Sequence, residues 1–170
     1  MSDFAGKRGR ATAAAIALLA MLTFSACGGG SKPSAEANAG DPVYGVGETA
    51  ALFDFKLTVD GAETASEYNR QVLQPGTTFV LVHVTLENAG SESKTYNSSS
   101  FKLLDSSGKT DLSVTTLDGE GELHIGELAP GEKASGVLPY EHPADDGTMT
   151  LTFQPNAMSD RTIRFDLGKK

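Results

Sequence analysis

Apolar and polar residues alternate with a period of two along most of the chain after residue 43. The clearest run is 79–87, where one face of an extended strand would carry Val80, Val82, Val84 and Leu86. The start of the other face is also apolar, with Phe79 and Leu81. Apolar residues on both faces indicate a strand that is covered on both sides, so we predict that this run is central in a β-sheet.

Shorter alternating or apolar segments predict further strands at 53–59, 101–104, 112–114, 123–125, 135–142, 149–153 and 163–167. In the first of them Phe53, Phe55, Leu57 and Val59 would share a face. The pairs Pro75-Gly76 and Pro130-Gly131 suit type II turns, because glycine accepts the positive φ of the second central residue. Asp60-Gly61 marks another expected boundary between elements.

The segment 64–73 is the only candidate for a helix after residue 43, and a strand edge with a loop fits it equally well. Short strands without βα alternation argue against a parallel sheet. We therefore predict one domain, 43–168, with an all-β fold. It would be an antiparallel β-sandwich of about seven to nine strands, with no disulfide because the chain has a single cysteine.

The first 26 residues follow the pattern of a bacterial signal peptide. Lys7, Arg8 and Arg10 form a basic start, 11–24 is uncharged and largely apolar, and Ser25-Ala26 supplies small residues for cleavage. An apolar run of this length is shorter than the ~20 residues of a membrane-spanning helix. A retained signal anchor and ordinary cleavage without lipid remain alternatives.

Cys27 follows these small residues, and the stretch 22–27 resembles a bacterial lipobox. Phe24 stands where a lipobox more usually has Leu, Val or Ile. The resemblance implies cleavage after Ala26 and a diacylglycerol with an N-acyl chain on Cys27, and no other cofactor is expected. Residues 28–42 lack large apolar side chains and predict a flexible tether with a reach of roughly 20 Å. The protein would then be held on the outer face of the cell membrane.

The chain is acidic, with a formal net charge of −8. Loss of residues 1–26 would remove three basic residues and one acidic residue, which moves the charge to −10. This charge argues against nucleic acid as a partner and against electrostatic docking on anionic lipid. We therefore expect membrane attachment to come from acyl chains alone.

Three motifs occur in order along the domain: the strand and turn at 76–90, the segment 101–109 with its Asp-Ser-Ser-Gly turn, and 128–136 with its Ala-Pro-Gly-Glu turn. Together they resemble the bacterial domain of unknown function 4352, over roughly 45–153. The resemblance implies a telokin-like, immunoglobulin-like domain that is frequent on exported lipoproteins. The family has no established catalytic site, so it assigns no functional residue here.

The three histidines, His83, His124 and His142, do not have the spacing of metal ligands on one strand or helix. We expect them to be independent, with His142 at the rim of the sandwich and its ring partly exposed. Met149 alternates with apolar residues and should be in the core, whereas Met158 should lie in a loop. Soft-metal binding is not expected.

The acidic loop 118–122 is the candidate metal site, because Asp118, Glu120 and Glu122 are the oxygen ligands that calcium prefers. The spacing of an EF-hand is absent. Asp145 and Asp146 could contribute only if the fold brings their loop nearby.

No nucleophile motif or phosphate-binding loop occurs in the chain, so we expect no enzymatic activity. The predicted function is a lipid-anchored, extracytoplasmic binding or interaction module whose partner is an envelope protein or a small ligand. The alternatives are a calcium- or metal-responsive domain that uses the acidic loop, and a structural surface antigen without a small ligand.

Overall fold

The computed structural model describes residues 43–114 and 119–168. These residues form thirteen strands: β1 Val43–Gly45, β2 Thr49–Leu52, β3 Phe55–Ala65, β4 Glu67–Tyr68, β5 Gln71–Val72, β6 Thr77–Asn88, β7 Lys94–Asn97, β8 Phe101–Leu104, β9 Leu112–Ser113, β10 Ile125–Leu128, β11 Lys133–Pro143, β12 Thr150–Phe153 and β13 Ile163–Asp166. A 3₁₀ turn, Ser98–Ser100, joins β7 to β8. Within the described residues no helix has the length and apolar character needed to cross a membrane.

Two sheets face each other across the core. The larger sheet has the order β2-β3-β6-β11-β9 and is antiparallel. The smaller sheet has the order β1-β13-β12-β8, in which only β1 runs parallel to its neighbour. Apolar side chains from both sheets, such as Val82 from β6 and Leu151 from β12, fill the space between them. The predicted all-β sandwich is confirmed, and Met149 is buried in its core as expected.

The strand β6 is central, as its pattern predicted. It pairs with β3 on one side and β11 on the other, and Val82 is fully buried on its inner face. On its outer face Phe79 is also buried, and the ring of Tyr68 packs edge-on against it at 6.0 Å. Tyr68 belongs to the short hairpin β4–β5, so the segment 64–73 is extended rather than helical.

The predicted start of the strand 53–59 and the predicted boundary after it were both wrong. Phe53 is not in the strand, because Phe53 and Asp54 form the two-residue turn between β2 and β3, with φ of 49° and 67°. Alternation misplaced Phe53 because its ring still packs against the core. Asp60-Gly61 is no boundary either, since the pairing with β6 only shifts at a β-bulge there and β3 continues.

The sandwich has two ends, which we name by their distance from the predicted tether. The proximal end is where β1 begins at Val43, and it comprises the turn 53–54, the loops 89–93, 129–132 and 154–162, and the strand residues next to them. The distal end comprises the loops 105–111 and 144–149. Gly131 in the proximal end and Gly76 have the positive φ predicted for the Pro-Gly turns.

Candidate functional site

The acidic loop uses one of its carboxylates to hold a neighbouring turn. Glu122 Oε1 accepts a hydrogen bond from Asn69 Nδ2 at 3.3 Å, and Asn69 lies in the turn between β4 and β5. Glu120 is exposed, and Asp118 lies outside the described residues. Among the residues that the structure describes, no three side chains of the metal-ligand types His, Cys, Asp and Glu converge. Calcium binding by this loop therefore stays a prediction that rests on the sequence.

The histidines lie in three separate environments. His83 Nε2 is 3.2 Å from Glu63 Oε1 on an exposed strand surface. His124 Nε2 is 3.3 Å from the carbonyl oxygen of Gly119. His142 lies near the end of β11, at the distal end of the sandwich.

The prediction for His142 was wrong, because its ring is buried rather than partly exposed. Only 1% of the side chain is accessible, and its Nδ1 lies 2.6 Å from Oδ2 of Asp111, whose own side chain is 6% accessible. The other ring nitrogen, Nε2, lies 3.2 Å from the carbonyl oxygen of Asp146. Burial is possible because both ring nitrogens have an oxygen partner, which offsets the loss of contact with water.

A second set of hydrogen bonds joins the same two loops. Asp146 Oδ2 accepts bonds from Ser106, from its backbone N–H at 2.9 Å and from its hydroxyl at 2.7 Å. Asp146 Oδ1 accepts a bond from the N–H of Thr148 at 3.0 Å. We call Ser106, Asp111, His142 and Asp146 the loop clamp, since they connect the loops 105–111 and 144–149 across the distal end.

The carboxylates at this end have pKa values that are shifted in opposite directions. Burial raises the pKa of Asp111, and the hydrogen bond from His142 offsets part of that effect. The N–H groups of Thr148 and Ser106, followed by the Ser106 hydroxyl, lower the pKa of Asp146 to about 2. The hydroxyl of Ser107, which donates to Asp105 at 2.6 Å, lowers the pKa of Asp105.

The loop clamp contains a serine, a histidine and two aspartates, but its geometry is that of a structural network. In a Ser-His-Asp catalytic triad, one histidine nitrogen bonds to the aspartate and the other must face the serine hydroxyl. Here Nε2 of His142 faces the Asp146 carbonyl, and the Ser106 hydroxyl donates to the Asp146 carboxylate. The arrangement can hold two loops together, and neither ring nitrogen of His142 faces the Ser106 hydroxyl.

Sequence reasoning missed Asp111, which is 31 positions from its partner His142. The useful signal was the phase of His142, which continues the inward positions Leu138 and Tyr140 of β11, both buried. A histidine in phase with core residues needs a polar partner. The identity of that partner depended on the path of a loop, which the alternation pattern does not describe.

We predict that the loop clamp makes stability depend on acid pH through Asp146. Its pKa is about 2 in the folded protein and 3.8 ordinarily, so its contribution is complete above the ordinary value and is lost as the pH falls towards 2. Asp111 has a raised pKa and contributes with the opposite sign. Asp146→Asn should therefore flatten the fall in unfolding free energy between about pH 4 and pH 2, measured by urea denaturation.

The matched control for this experiment is Asp145→Asn, which removes the neighbouring exposed carboxylate. It should leave the pH dependence as it is in the unmodified protein. An equal flattening by both variants would show that general charge, rather than the hydrogen bonds to Asp146, determines the acid response.

Cys27 and Ala26, the predicted lipidation and cleavage residues, lie outside the described residues, as do the signal peptide 1–26 and the tether 27–42. Their assignment stays a prediction from the sequence.

The family described as "Domain of unknown function (DUF4352)" matches residues 44–163 of the chain. The match covers β1 through the start of β13, and so it spans both sheets of the sandwich. No curated protein is significantly similar to the chain in sequence.

Several solved structures share the fold. The yjhA protein from Bacillus subtilis has a TM-score of 0.58 at 24% identity, covering 74% of this chain and 99% of its own. The ycdA protein of the same species, described as a candidate lipoprotein, has a TM-score of 0.61 at 13% identity over 71% of this chain and 38% of its own. A functionally unknown protein from Listeria monocytogenes has a TM-score of 0.54 at 12% identity, covering 72% of this chain and 82% of its own.

Proposed function

This chain belongs to the DUF4352 family, and on that premise we propose that it is a lipid-anchored, extracytoplasmic interaction module of the bacterial cell envelope. The module contributes a binding surface and not a reaction. The observation that carries the proposal is the combination, in one chain, of a lipobox-like stretch ending at Cys27, a polar tether and a family β-sandwich.

The anchor is supported by the order of segments in the sequence. A basic start, an apolar run and small residues precede Cys27, and the polar stretch 28–42 separates it from the first strand. The description of the structurally similar ycdA protein as a candidate lipoprotein is consistent with this arrangement. Two or more acyl chains on one residue are sufficient for stable attachment, at ~0.8 kcal/mol per buried methylene.

The sizes of two cavities in the described part of the chain support a protein partner over a small ligand. One cavity, which is lined by Ser98, Glu122 and Tyr140 among others, has a volume of about 30 Å³, which holds no more than a few water molecules. A shallow groove along the turn Phe53–Asp54 has a volume of about 260 Å³. Sites for drug-sized ligands usually enclose about 300–1,000 Å³. We therefore propose an envelope protein as the partner.

The anchor is tested by Cys27→Ser in a bacterial host that processes lipoproteins. We expect no incorporation of labelled palmitate, because serine offers no thiol for the diacylglycerol. The protein should appear in the soluble fraction or as a larger uncleaved precursor. Ser34→Ala in the tether is the matched control and should be labelled normally. Continued palmitate labelling of the Cys27→Ser variant would refute the anchor.

A further inference from the structure

Basic side chains are concentrated at the proximal end of the sandwich. Of the eight lysines and arginines in the described residues, six lie there: Lys56, Lys94, Lys102, Lys133, Arg161 and Arg164. They are accompanied by a similar number of carboxylates, and Lys94 Nζ, for example, lies 3.1 Å from Asp54 Oδ2. The proximal end is therefore close to neutral although the whole chain is strongly acidic.

These cations occur on the outer faces of both sheets. In the smaller sheet Arg164 pairs with Val43 on one side and with Thr152 on the other, and Thr152 pairs with Lys102. This outward-facing row, one residue in from the proximal end of the sheet, thus carries two cations.

The same end of the larger sheet carries Lys56 and Lys133 on either side of Glu87. Their Nζ atoms lie 3.4 Å and 3.0 Å from its carboxylate oxygens. The hydrogen bond from Lys133 is the main cause that lowers the pKa of Glu87. Each face of the sandwich therefore presents two cations at its proximal edge.

At the distal end acidic residues outnumber basic ones. Its two loops carry Asp105, Asp111, Asp145 and Asp146 but only one basic residue, Lys109, among the described positions. Lys169 and Lys170 follow outside the described residues. The negative charge of the domain is therefore concentrated away from the tether, and the formal net charge hides this separation.

Apolar side chains are exposed at the proximal end as well. Met158, in the loop 154–162, is 98% accessible, and Val43 is 55% accessible where the domain begins. In the same loop the guanidinium of Arg161 lies 5.3 Å from the centre of the Phe53 ring. Exposed apolar side chains beside basic ones are typical of surfaces that lie in the headgroup region of a bilayer.

The predicted tether would keep this end near the membrane. Fifteen residues separate Cys27 from Val43, and a flexible chain of that length has an end-to-end distance of roughly 20 Å. The tether alone would let the domain turn freely. Because the acidic distal end is repelled by anionic headgroups and the proximal end is not, the charge separation selects one orientation.

We propose that the proximal end lies on an anionic phospholipid surface, with Met158 at the lipid interface, and that the distal end faces away from the membrane. The inference rests on the proposed lipid anchor at Cys27. It also revises the expectation, drawn from the net charge, that anionic lipid plays no part. The net charge averages over a proximal end that is close to neutral and a distal end that is acidic. The loops of the loop clamp would then be presented to partners.

The experiment uses the lipidated full-length protein in vesicles of phosphatidylcholine with and without phosphatidylglycerol. Lipid occupies the sulfur of Cys27, so Met158→Cys introduces the only free thiol, which is labelled with a fluorophore. We expect nitroxide lipids to quench this label several-fold more than a label at Lys109→Cys in the distal loop. Phosphatidylglycerol should increase the difference and added salt should reduce it. Equal quenching at the two positions, or stronger quenching at position 109, would overturn the proposed orientation.

Flotation with the vesicles separates this inference from the anchor. Protein that does not float refutes the lipid anchor, whereas protein that floats with equal quenching at both positions refutes the orientation alone. A second variant, Lys102→Glu with Arg164→Glu, changes two outward-facing cations and should lower quenching at position 158 without affecting flotation. Unchanged quenching in that variant would show that the basic residues do not determine the orientation.

Discussion

Replacing Asp111 with alanine should lower the free energy of unfolding by about 2–4 kcal/mol, a cost between that of an unsatisfied buried polar group and that of a broken buried ion pair. The substitution leaves Nδ1 of His142 without its partner at 2.6 Å, in a position where the ring is 1% accessible. The loss should be visible as a lower urea midpoint with an unchanged slope.

Two further variants make this result specific. Lys109→Ala changes an exposed residue of the same loop and should alter stability by less than about 0.5 kcal/mol. The double variant Asp111→Val with His142→Leu removes both partners and should recover much of the loss, because an apolar pair needs no hydrogen bond. If Asp111→Ala costs no more than Lys109→Ala, then the loop clamp does not stabilise the distal end.

Replacing Val82 with aspartate should destabilise the domain by at least about 3 kcal/mol and abolish cooperative folding if the domain has little stability to spare. Val82 is fully buried in β6, between Ala62 of β3 and Leu138 of β11. A carboxylate there would have apolar cross-strand neighbours on both sides and no cation to pair with in the core cluster. Circular dichroism during heating, with a urea titration at pH 7, measures the effect.

The control for this substitution is Lys102→Asp, which introduces the same side chain at an exposed position of β8. Surface substitutions of this kind change stability by about 0.5 kcal/mol or less. If Val82→Asp melts at the same temperature as this control, the inner face of β6 has been assigned wrongly.

The fold was largely predictable from the sequence because strand alternation is a local property. Val82 and its inward neighbours on β6 repeat every second residue, and the backbone geometry of a strand turns that repeat into one face. The same reasoning failed at Phe53, where an apolar residue in phase with the strand lies in the turn. Alternation reports which side chains are buried, and it does not report where a strand ends.

The candidate site was less predictable, because it depends on contacts between distant segments. The sequence drew attention to the acidic loop, yet within its described part Glu122 bonds to Asn69 rather than joining a cluster of metal ligands. His142 was expected at the rim of the sandwich with its ring partly exposed. Its burial depends on Asp111, whose loop returns past the end of β11.

The amino-acid sequence by itself determined the strand-rich architecture, the central place of β6 and the single cysteine that can carry an anchor, since each of these follows from residue type and local spacing. Only the tertiary structure decided that His142 is buried against Asp111 and that six of the eight basic residues in the described part of the chain lie at the proximal end. Basic residues that are spread along the chain come together in space because antiparallel strands bring turns that are distant in sequence to the same end of a sandwich.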